Sequence, residues 1–443
     1  MYGNFPGIVR GASPKEIPLN CRSYPSLPWN GRVSQRFSMT QQPKRICILG
    51  GGFGGLHTAL RLSQLPWETQ LGHADIETLP PEIVLVDQRD RFLFSPLLYE
   101  LVTGELQTWE IAPSYSELLA NTGVRFRQAA VIGLDLQAKT VQFQDEADLP
   151  YDKLVLALGG ESPLDLVPGA AEYALPFRVL ADAQRLEAAL RVLEASPAEK
   201  IRVAVVGAGY SGVELACKLA DRLQGRGRLR LIEQGCQILR SAPEFNREAA
   251  QRALSQRQVW VDLETTIAAI AGDEISLTHQ GQTDTIPVDL VLWTVGTKMH
   301  PVIQTLPVQK NQRGQLLIAS TLQLPDYPDL FALGDMADCR DAEGQQVPAT
   351  AQVAFQQADY AGWNLWASLT GRPLLPFRYL HLGEMMTLGT DNATFAGLGV
   401  TLDGPMAHLV RRLLYLARLP TLDHQLKVGF SWITRPLVDA LRQ

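Results

Sequence analysis

Short, nearly continuous apolar runs recur along the chain, and glycine-rich turns follow several of them. Two of these runs are Arg45–Leu49 and Ile201–Val206. Apolar runs of about four to eight residues that end in glycine predict strands buried in a parallel sheet. After each of these turns the apolar positions take helical spacing, at Leu56–Leu65 and at Val213–Leu223. The alternation of strand and helix predicts an α/β fold.

The turn after the first strand contains a G-x-G-x-x-G pattern, with glycine at positions 50, 52 and 55. Gly50 permits a tight turn, Gly52 lets the backbone approach a pyrophosphate, and Gly55 allows close packing of helix on strand. A further apolar run, Ile83–Val86, ends in Asp87, which is suited to bind a ribose hydroxyl. The longer gap before Asp87 predicts a surface insertion, at residues 67–81.

A second G-x-G-x-x-G pattern follows Val206, with glycine at positions 207, 209 and 212. The next apolar run ends in Glu233, 21 residues beyond Gly212, which agrees with the usual spacing of about 20 residues. Glu233 would bind a ribose 2′-hydroxyl and repel a 2′-phosphate, so it favours NADH over NADPH. Arg230 lies nearby and weakens that preference.

Two dinucleotide loops in one chain indicate one tightly held redox cofactor and one exchanging coenzyme, which is the arrangement that flavin chemistry needs. Two buried runs that end in glycine, Tyr151–Gly160 and Leu290–Gly296, predict crossovers between two nucleotide-binding domains. The run from Thr321 ends in Gly334 and Asp335. An acid at this point can reach the ribityl hydroxyls of FAD, beside a helix N-terminus that faces the pyrophosphate.

Composition narrows the functional classes. The chain has 443 residues and a formal charge of −6, and this acidity argues against nucleic-acid binding. Its five cysteines lie at positions 21, 47, 217, 236 and 339. They show neither a Cys-x-x-Cys pair nor zinc spacing, so we predict a reducing compartment and no metal site. No apolar run approaches the length of a spanning helix, which is about 18 residues.

Residues 1–43 are rich in arginine, proline and glycine and show no periodic apolar pattern. We predict a disordered N-terminal extension. Translation from Met39 and a transit peptide both remain open as its explanation.

The order of these motifs resembles the two-dinucleotide-binding flavoprotein superfamily, the fold of glutathione-reductase-like enzymes. The resemblance covers residues 44 to about 400. The redox-active pair Cys-x-x-x-x-Cys that many members carry after the first loop is absent, so no dithiol relay is expected. Cys339 could approach a flavin, but a sulfide-oxidising relative would need two such cysteines.

The helical stretch 348–358 contains the pattern Ala-Gln-x-Ala-x-Gln-Gln at Ala351–Gln357. Gln352 and Gln356 fall on one helical face, and amides can both donate to a quinone and accept from a quinol. Taken alone, a helix rich in glutamine and alanine is more often a solvated surface helix. The pattern resembles the quinone site of type II NADH dehydrogenases, and this resemblance implies that Gln352, with Gln356 or Gln357, lines a quinone pocket beside the flavin.

The same resemblance extends to other segments. Phe94–Leu98 resembles the segment under the isoalloxazine ring, Gly383–Gly389 the start of a membrane domain, and Glu214 the glutamate near the meeting point of nicotinamide and flavin. The stretch Met385–Phe395 resembles the branch from cyanobacteria and plastids, whose members reduce the naphthoquinone demethylphylloquinone. Plastoquinone remains the alternative acceptor, NADPH the alternative coenzyme, and a slow redox sensor the competing class.

Pro405–Leu419 predicts an amphipathic helix with a basic face that contains His408, Arg411 and Arg412. A basic amphipathic helix suits anionic headgroups, and Phe430 would add an interfacial anchor. Composition alone equally allows packing on the chain's own domain or in a homodimer. The resemblance favours a peripheral membrane protein on the cytoplasmic or stromal face of a thylakoid or plasma membrane.

These observations together define the expected domains and sites. The predicted domains are the N-terminal extension (1–43), the first part of the FAD-binding domain (44–165), the NAD(P)H-binding domain (166–296), the second part of the FAD-binding domain with the quinone-site helix (297–362) and a membrane-associating region (363–443). The predicted catalytic residues are Glu214, Gln352, Gln356 and Gln357. The predicted cofactor-binding residues are Gly50, Gly52, Phe53, Gly54, Gly55, Asp87, Pro96, Leu97, Ala157, Gly159, Gly334, Asp335, Ala351, Gly207, Gly209, Tyr210, Gly212, Glu233 and Gly296.

Overall fold

The computed structural model of the chain describes residues 43–67 and 80–442. The predicted N-terminal extension and most of the predicted insertion at 67–81 lie outside the described residues.

The strands of the described residues divide among two larger parallel sheets and several small ones. In chain order they are β1 (Arg45–Leu49), β2 (Glu82–Asp87), β3 (Arg125–Gln128), β4 (Val131–Asp135), β5 (Thr140–Phe143), β6 (Leu149–Pro150), β7 (Lys153–Leu156), β8 (Gly160–Glu161), β9 (Ala174–Pro176), β10 (Ile201–Val206), β11 (Gly227–Ile232), β12 (Trp260–Asp262), β13 (Thr265–Ile270), β14 (Glu274–His279), β15 (Gln282–Pro287), β16 (Leu290–Trp293), β17 (Lys298–Met299), β18 (Leu316–Ile318), β19 (Gln323–Leu324), β20 (Tyr327–Ala332), β21 (Ala337–Cys339), β22 (Glu384–Thr387), β23 (Ala393–Gly397) and β24 (Val400–Asp403).

The helices cover the sheets and form the C-terminal end of the described chain. They are α1 (Phe53–Ser63), α2 (Thr108–Ile111), α3 (Tyr115–Leu118), α4 (Ala170–Tyr173), α5 (Leu180–Ala195), α6 (Tyr210–Leu223), α7 (Glu244–Gln256), α8 (Pro301–Thr305), α9 (Ala351–Thr370), α10 (Gly404–Leu416) and α11 (Leu422–Arg442), with 3₁₀ turns at Ser95–Leu101, Gln224–Arg226 and Gly334–Met336.

The first larger sheet has the strand order β19-β20-β7-β1-β2-β3. Its strands are parallel except for the edge pair β19-β20. Its central strand β1 is fully buried from Ile46 to Leu49, because both faces of a parallel sheet are covered. The strand order reverses at β1, so the loop after β1 lies where ligands of such sheets bind.

The second larger sheet has the order β12-β11-β10-β16-β9, and all of its pairs are parallel. It repeats the arrangement of the first sheet, with β10 flanked by β11 and β16. The chain leaves the first sheet after β7 and returns to it at β19, so the first sheet is built from two separated parts of the sequence. The two connecting segments pair with each other, where Gly160 in β8 lies opposite Met299 in β17.

The helices that follow the two glycine loops begin earlier than the sequence predicts. α1 begins at Phe53 and α6 at Tyr210, each three residues before the predicted start. In both, the N-cap residue is a glycine of the loop itself, Gly52 or Gly209, so the helix starts inside the motif. The loop backbone is therefore also the helix N-terminus.

α9 packs along α1, and the sheet β22-β23-β24 packs against α10. α9 begins after Thr350, whose hydroxyl accepts a hydrogen bond from Val353 N at 3.3 Å. It extends to Thr370, well beyond the predicted end at residue 358, because Leu365 and Trp366 continue its buried face. Within residues 43–67 and 80–442, no helix has the length and apolarity to cross a bilayer.

Candidate functional site

The first glycine loop is tightly folded except at one position. Gly50 has φ +95°, and its N–H donates to Val86 O at 2.8 Å. A Cβ atom on Gly55 would lie 1.8 Å from Gly50 O, so helix α1 could not approach the loop with any larger residue. A Cβ atom on Gly52 would meet no atom within 4 Å. The open side of the loop is therefore at Gly52, where a pyrophosphate would fit.

Asp87 is joined to this loop. Its Oδ2 accepts a hydrogen bond from Gly51 N at 2.7 Å, and its Oδ1 accepts one from Arg89 N at 2.9 Å. The Tyr115 hydroxyl donates to Gly51 O at 2.9 Å. The carboxylate is fixed beside the loop and keeps further lone pairs for a ribose hydroxyl.

The second loop repeats this geometry. Gly207 has φ +98° and donates to Ile232 O at 2.8 Å, and a Cβ atom on Gly212 would lie 1.8 Å from Gly207 O. Gly209 again faces open space. Glu233 accepts hydrogen bonds from Ala208 N at 2.9 Å and Gly235 N at 2.8 Å.

The two helix N-termini are free to bind an anion. Neither α1 nor α6 has a side-chain cap at its N-cap glycine, and neither has an acid in its first turn. Their first N–H groups therefore remain available for phosphate oxygens, which the positive end of the helix dipole also favours. Both loops thus suit a dinucleotide.

Arg230 is not available to a coenzyme phosphate in this structure. Its guanidinium forms two hydrogen bonds with Asp262, at 2.8 and 3.0 Å, and it lies over the Trp260 ring at 5.7 Å. The Arg230–Asp262 pair therefore adds no net positive charge beside Glu233.

The residues predicted to close the flavin site lie in several segments, of which the one with Ala157 contacts the first loop. A Cβ atom on Gly50 would lie 2.3 Å from Ala157 O, so Ala157 packs directly on the loop. Gly334 has φ +75°, and the Asp335 carboxylate accepts a hydrogen bond from Arg178 at 2.6 Å. Arg178 was not predicted, because nothing in its local sequence distinguishes it from a surface arginine. Gly159 and Gly296, both with positive φ, lie in the two connecting segments.

The three glutamines of α9 have different partners. Gln357 is buried, and its Oε1 accepts a hydrogen bond from Gly334 N at 2.8 Å. Gln356 forms two hydrogen bonds with the backbone of Leu380. Its Oε1 accepts from Leu380 N at 3.0 Å, and its Nε2 donates to Leu380 O at 2.8 Å. Gln352 also forms hydrogen bonds with the chain around Leu380, at Tyr379, Leu382 and Gly383. Ala351 is partly buried at the start of the helix. The contact of these residues with a quinone stays a prediction.

Glu214 lies in a buried cluster of charges. Its Oε1 accepts a hydrogen bond from Thr387 N at 2.9 Å and lies 3.8 Å from an Arg411 nitrogen. Burial raises the pKa of Glu214 to about 7, although Arg411 and the Thr387 N–H lower it. This carboxyl therefore changes charge near neutral pH.

Arg411 joins this cluster to the 3₁₀ turn that contains Pro96 and Leu97. It donates to Pro96 O at 2.7 Å and to the Glu100 carboxylate, and it is fully buried. Burial alone would raise the pKa of Glu100, but the Arg411 guanidinium holds it below its ordinary value. The turn predicted to lie under the isoalloxazine is thus held by a residue of α10.

The prediction of a basic, headgroup-facing side on α10 is wrong for His408 and Arg411. Both are buried against the protein, because Arg411 pairs with Glu100 across the interior. Arg412 lies over the Trp432 ring at 4.5 Å. The exposed face is instead apolar, and with α11 it includes Met406, Leu409, Leu413, Leu422, Leu426, Phe430 and Ile433. A groove of about 800 Å³ runs between the two helices.

The cysteines of the described residues are unpaired. Burial raises the pKa of Cys217 to about 12 and that of Cys339 to about 11, so neither is a ready thiolate. Cys236 is exposed, beside the Glu233 loop.

Comparison with known proteins agrees with this geometry. Residues 44–358 match the family described as pyridine nucleotide-disulphide oxidoreductase. The chain is 58% identical to demethylphylloquinone reductase NdbB of Synechocystis sp., over 91% of this chain and 99% of that protein. It is 45% identical to the alternative NAD(P)H-ubiquinone oxidoreductase C1 of Arabidopsis thaliana, over 90% of this chain and 82% of that protein.

Among solved structures, the fold is similar to NDH2 from Plasmodium falciparum in complex with NADH. The TM-score is 0.78 at 17% identity, covering 89% of this chain and 98% of that one. The predicted α/β dinucleotide-binding fold and the predicted family are confirmed. The chain therefore belongs to the pyridine nucleotide-disulphide oxidoreductase family, within the group that contains these demethylphylloquinone and NAD(P)H–ubiquinone reductases.

Proposed function

We propose that the chain is a flavoprotein that transfers electrons from NADH, through bound FAD, to a membrane quinone, and that this quinone is demethylphylloquinone. The observation that carries the proposal is the pair of open glycine loops on two parallel sheets joined by paired connecting segments. The choice of quinone rests on the 58% identity to the Synechocystis reductase.

The residues fit the two dinucleotides as follows. The Gly52 side of the first loop and the N-terminus of α1 bind the FAD pyrophosphate, and Asp87 binds its ribose. Asp335, held by Arg178, binds the ribityl chain. The second loop binds NADH, with Glu233 on the ribose 2′-hydroxyl. NADH is preferred to NADPH because Glu233 repels a 2′-phosphate while Asp262 holds Arg230.

Bound FAD supplies the redox chemistry, because it accepts a hydride equivalent from a nicotinamide and gives electrons to a quinone. The chain positions the reactants and excludes water. Glu214, buried and titrating near neutral pH, lies at the contact of α6 with the C-terminal sheet and steadies the nicotinamide side. Gln352 and Gln356 each keep one amide N–H for the quinone side, because their other hydrogen bonds among the described residues go to residues 379–383.

The chain reaches a lipid-soluble quinone through the exposed apolar face of α10 and α11. Leu409 is 50% exposed and Phe430 70% exposed, which is costly in water and favourable in a bilayer interface. This apolar face supports the proposal of a peripheral membrane protein, which we place on the cytoplasmic or stromal face of a thylakoid or plasma membrane. Flotation with lipid vesicles tests this. The double variant Leu409→Gln, Leu413→Gln should no longer float with the vesicles. If the face were instead a dimer interface, the same variant would lower the mass of the protein measured in solution.

The central test follows the flavin absorbance of the purified holoenzyme. NADH should bleach the flavin rapidly, and a naphthoquinone should restore its colour. Membrane-extracted demethylphylloquinone and plastoquinone are then compared as acceptors, with NADH and with NADPH. Failure of every quinone to restore the flavin would favour a redox sensor over an enzyme, and a preparation that binds no flavin would end the proposal.

A further inference from the structure

One extended segment, residues 379–387, contacts both predicted reactant sites. Its first half bonds Gln352 of α9. Gln352 Oε1 accepts from the Tyr379 hydroxyl at 2.8 Å and from Leu382 N at 3.3 Å, and its Nε2 donates to Gly383 O at 3.3 Å. Gln356 adds its two bonds to Leu380. Both amides of the predicted quinone face are thus positioned by this segment.

The second half of the segment bonds α6, the helix of the second dinucleotide loop. The Tyr210 hydroxyl donates to the Glu384 carboxylate, and Thr387 N donates to Glu214 at 2.9 Å. Tyr210 is the first residue of α6 and directly follows Gly209, the open position of the loop. The Gln352 contacts and the Tyr210 contact meet at adjacent residues, because Gly383 directly precedes Glu384.

The segment is stiff between its two ends. Residues 384–387 form β22, which pairs with β23 at all four positions. Gly383 has φ +103°, and a Cβ atom on it would lie 2.5 Å from Gly397 Cα. Gly383 and Gly397 pack backbone against backbone, so Gly383 has little room to move independently of Glu384, the next residue, and its carbonyl accepts from Gln352.

We propose that residues 379–387 couple the two sites, so that occupancy of the second dinucleotide loop at Tyr210 changes the position of Gln352, with Glu384 as the positioning residue. The identities of the two ligands rest on the proposed function. A dinucleotide bound over Gly209 would place phosphate charge beside Tyr210, the next residue, whose hydroxyl donates to Glu384. Repulsion between that charge and the Glu384 carboxylate differs between the filled and the empty loop, which is the differential interaction that coupling requires.

The test measures binding without turnover. The oxidised holoenzyme is titrated with 1,4-naphthoquinone, followed by flavin fluorescence, with and without saturating NAD⁺. Because both ligands are oxidised, no electrons move. The ratio of the two dissociation constants for the quinone is the coupling factor. We expect a factor of at least about 5 in the unaltered protein, the lower end of ordinary allosteric coupling.

Two variants break the contact from opposite sides. Glu384→Gln removes the charge and Tyr210→Phe removes the hydroxyl, and each should reduce the coupling factor to about one. The double variant should fall no further, since both act on one contact. The matched control is Glu343→Gln, an exposed glutamate in the turn after β21, which should keep the factor of the unaltered protein.

A coupling factor of one in the unaltered protein would overturn the inference, and so would an unchanged factor in both Glu384→Gln and Tyr210→Phe. These results are separate from a failure of the proposed function. If the proposed function fails, NADH does not bleach the flavin or quinone does not restore it. An enzyme with normal half-reactions and no coupling would contradict only the inference.

Discussion

The Arg411 guanidinium donates a hydrogen bond to the Glu100 carboxylate, 311 residues earlier in the chain, and both groups are buried. Loss of the arginine leaves a buried carboxylate without its counter-ion. We expect Arg411→Met to lower the free energy of unfolding by about 3–5 kcal/mol, the usual cost of breaking a buried pair. Denaturation in urea measures this.

The control for that prediction is Arg412→Met, one residue later on the same helix. Arg412 is only partly buried and lies over Trp432, so we expect a loss below about 1 kcal/mol. Equal losses in the two variants would show that Arg411 contributes no more than helix packing.

The raised pKa of Glu214 predicts a pH dependence of stability. Between its ordinary value of 4.5 and about 7, the folded protein holds a proton that the unfolded chain has released. The free energy of unfolding therefore falls as pH rises through this window, by at most about 3 kcal/mol. Glu214→Gln should remove that fall. Urea denaturation gives the free energy of unfolding of both proteins at pH 5 and at pH 8. If the difference between the two proteins is the same at both pH values, the assigned pKa is contradicted.

Gln352→Leu separates the two half-reactions. The substitution removes the amide from the predicted quinone face and makes no direct contact with the second dinucleotide loop, so the rate at which NADH bleaches the flavin should change much less than the rate of reoxidation. Reoxidation by naphthoquinone should slow by roughly 2- to 13-fold, because a hydrogen bond is worth about 0.5–1.5 kcal/mol. Loss of the amide also removes the hydrogen bond from Leu382 N. Stopped-flow absorbance records both rates. An equal loss in both would remove Gln352 from the acceptor side.

Glu233→Ala tests the coenzyme preference. The variant should lose affinity for NADH by roughly 10-fold or more, the value of a hydrogen bond to a charged acceptor, and lose less for NADPH. The ratio of kcat/KM for the two coenzymes is the readout. Glu274→Ala, at an exposed residue at the start of β14 in the same domain, serves as the control. A constant ratio would discard the role of Glu233.

Two glycines of the first loop should behave differently. A Cβ atom on Gly52 meets nothing in the protein, so Gly52→Ala should change the stability of the apoprotein by less than about 0.5 kcal/mol and yet weaken FAD retention. Gly55→Ala places an atom against Gly50 O and should lower the Tm of the apoprotein itself. Thermal unfolding before and after flavin loading distinguishes them. Normal FAD retention in Gly52→Ala would show that the pyrophosphate does not bind at Gly52.

The glycine loops and the acids after β2 and β11 could be predicted from sequence, because tight turns and close approaches make demands on single residues. Arg178 and Arg411 could not, since their partners lie 157 and 311 residues away and only the fold brings them together. The exposed face of α10 was predicted wrongly for a similar reason. A helix with one basic and one apolar face does not show which face is buried, and here Glu100 decides it.

The two faces of α10 also determine how the exposed apolar surface of the protein can be removed. Deleting α10 and α11 would strip the outward leucines, but it would leave Glu100 and Glu214 inside the protein with Arg411 gone. Replacing Leu409, Leu413 and Leu426 by polar residues keeps the inward side intact. The tail is thus a structural part of the enzyme's interior, and only its outer surface can be redesigned.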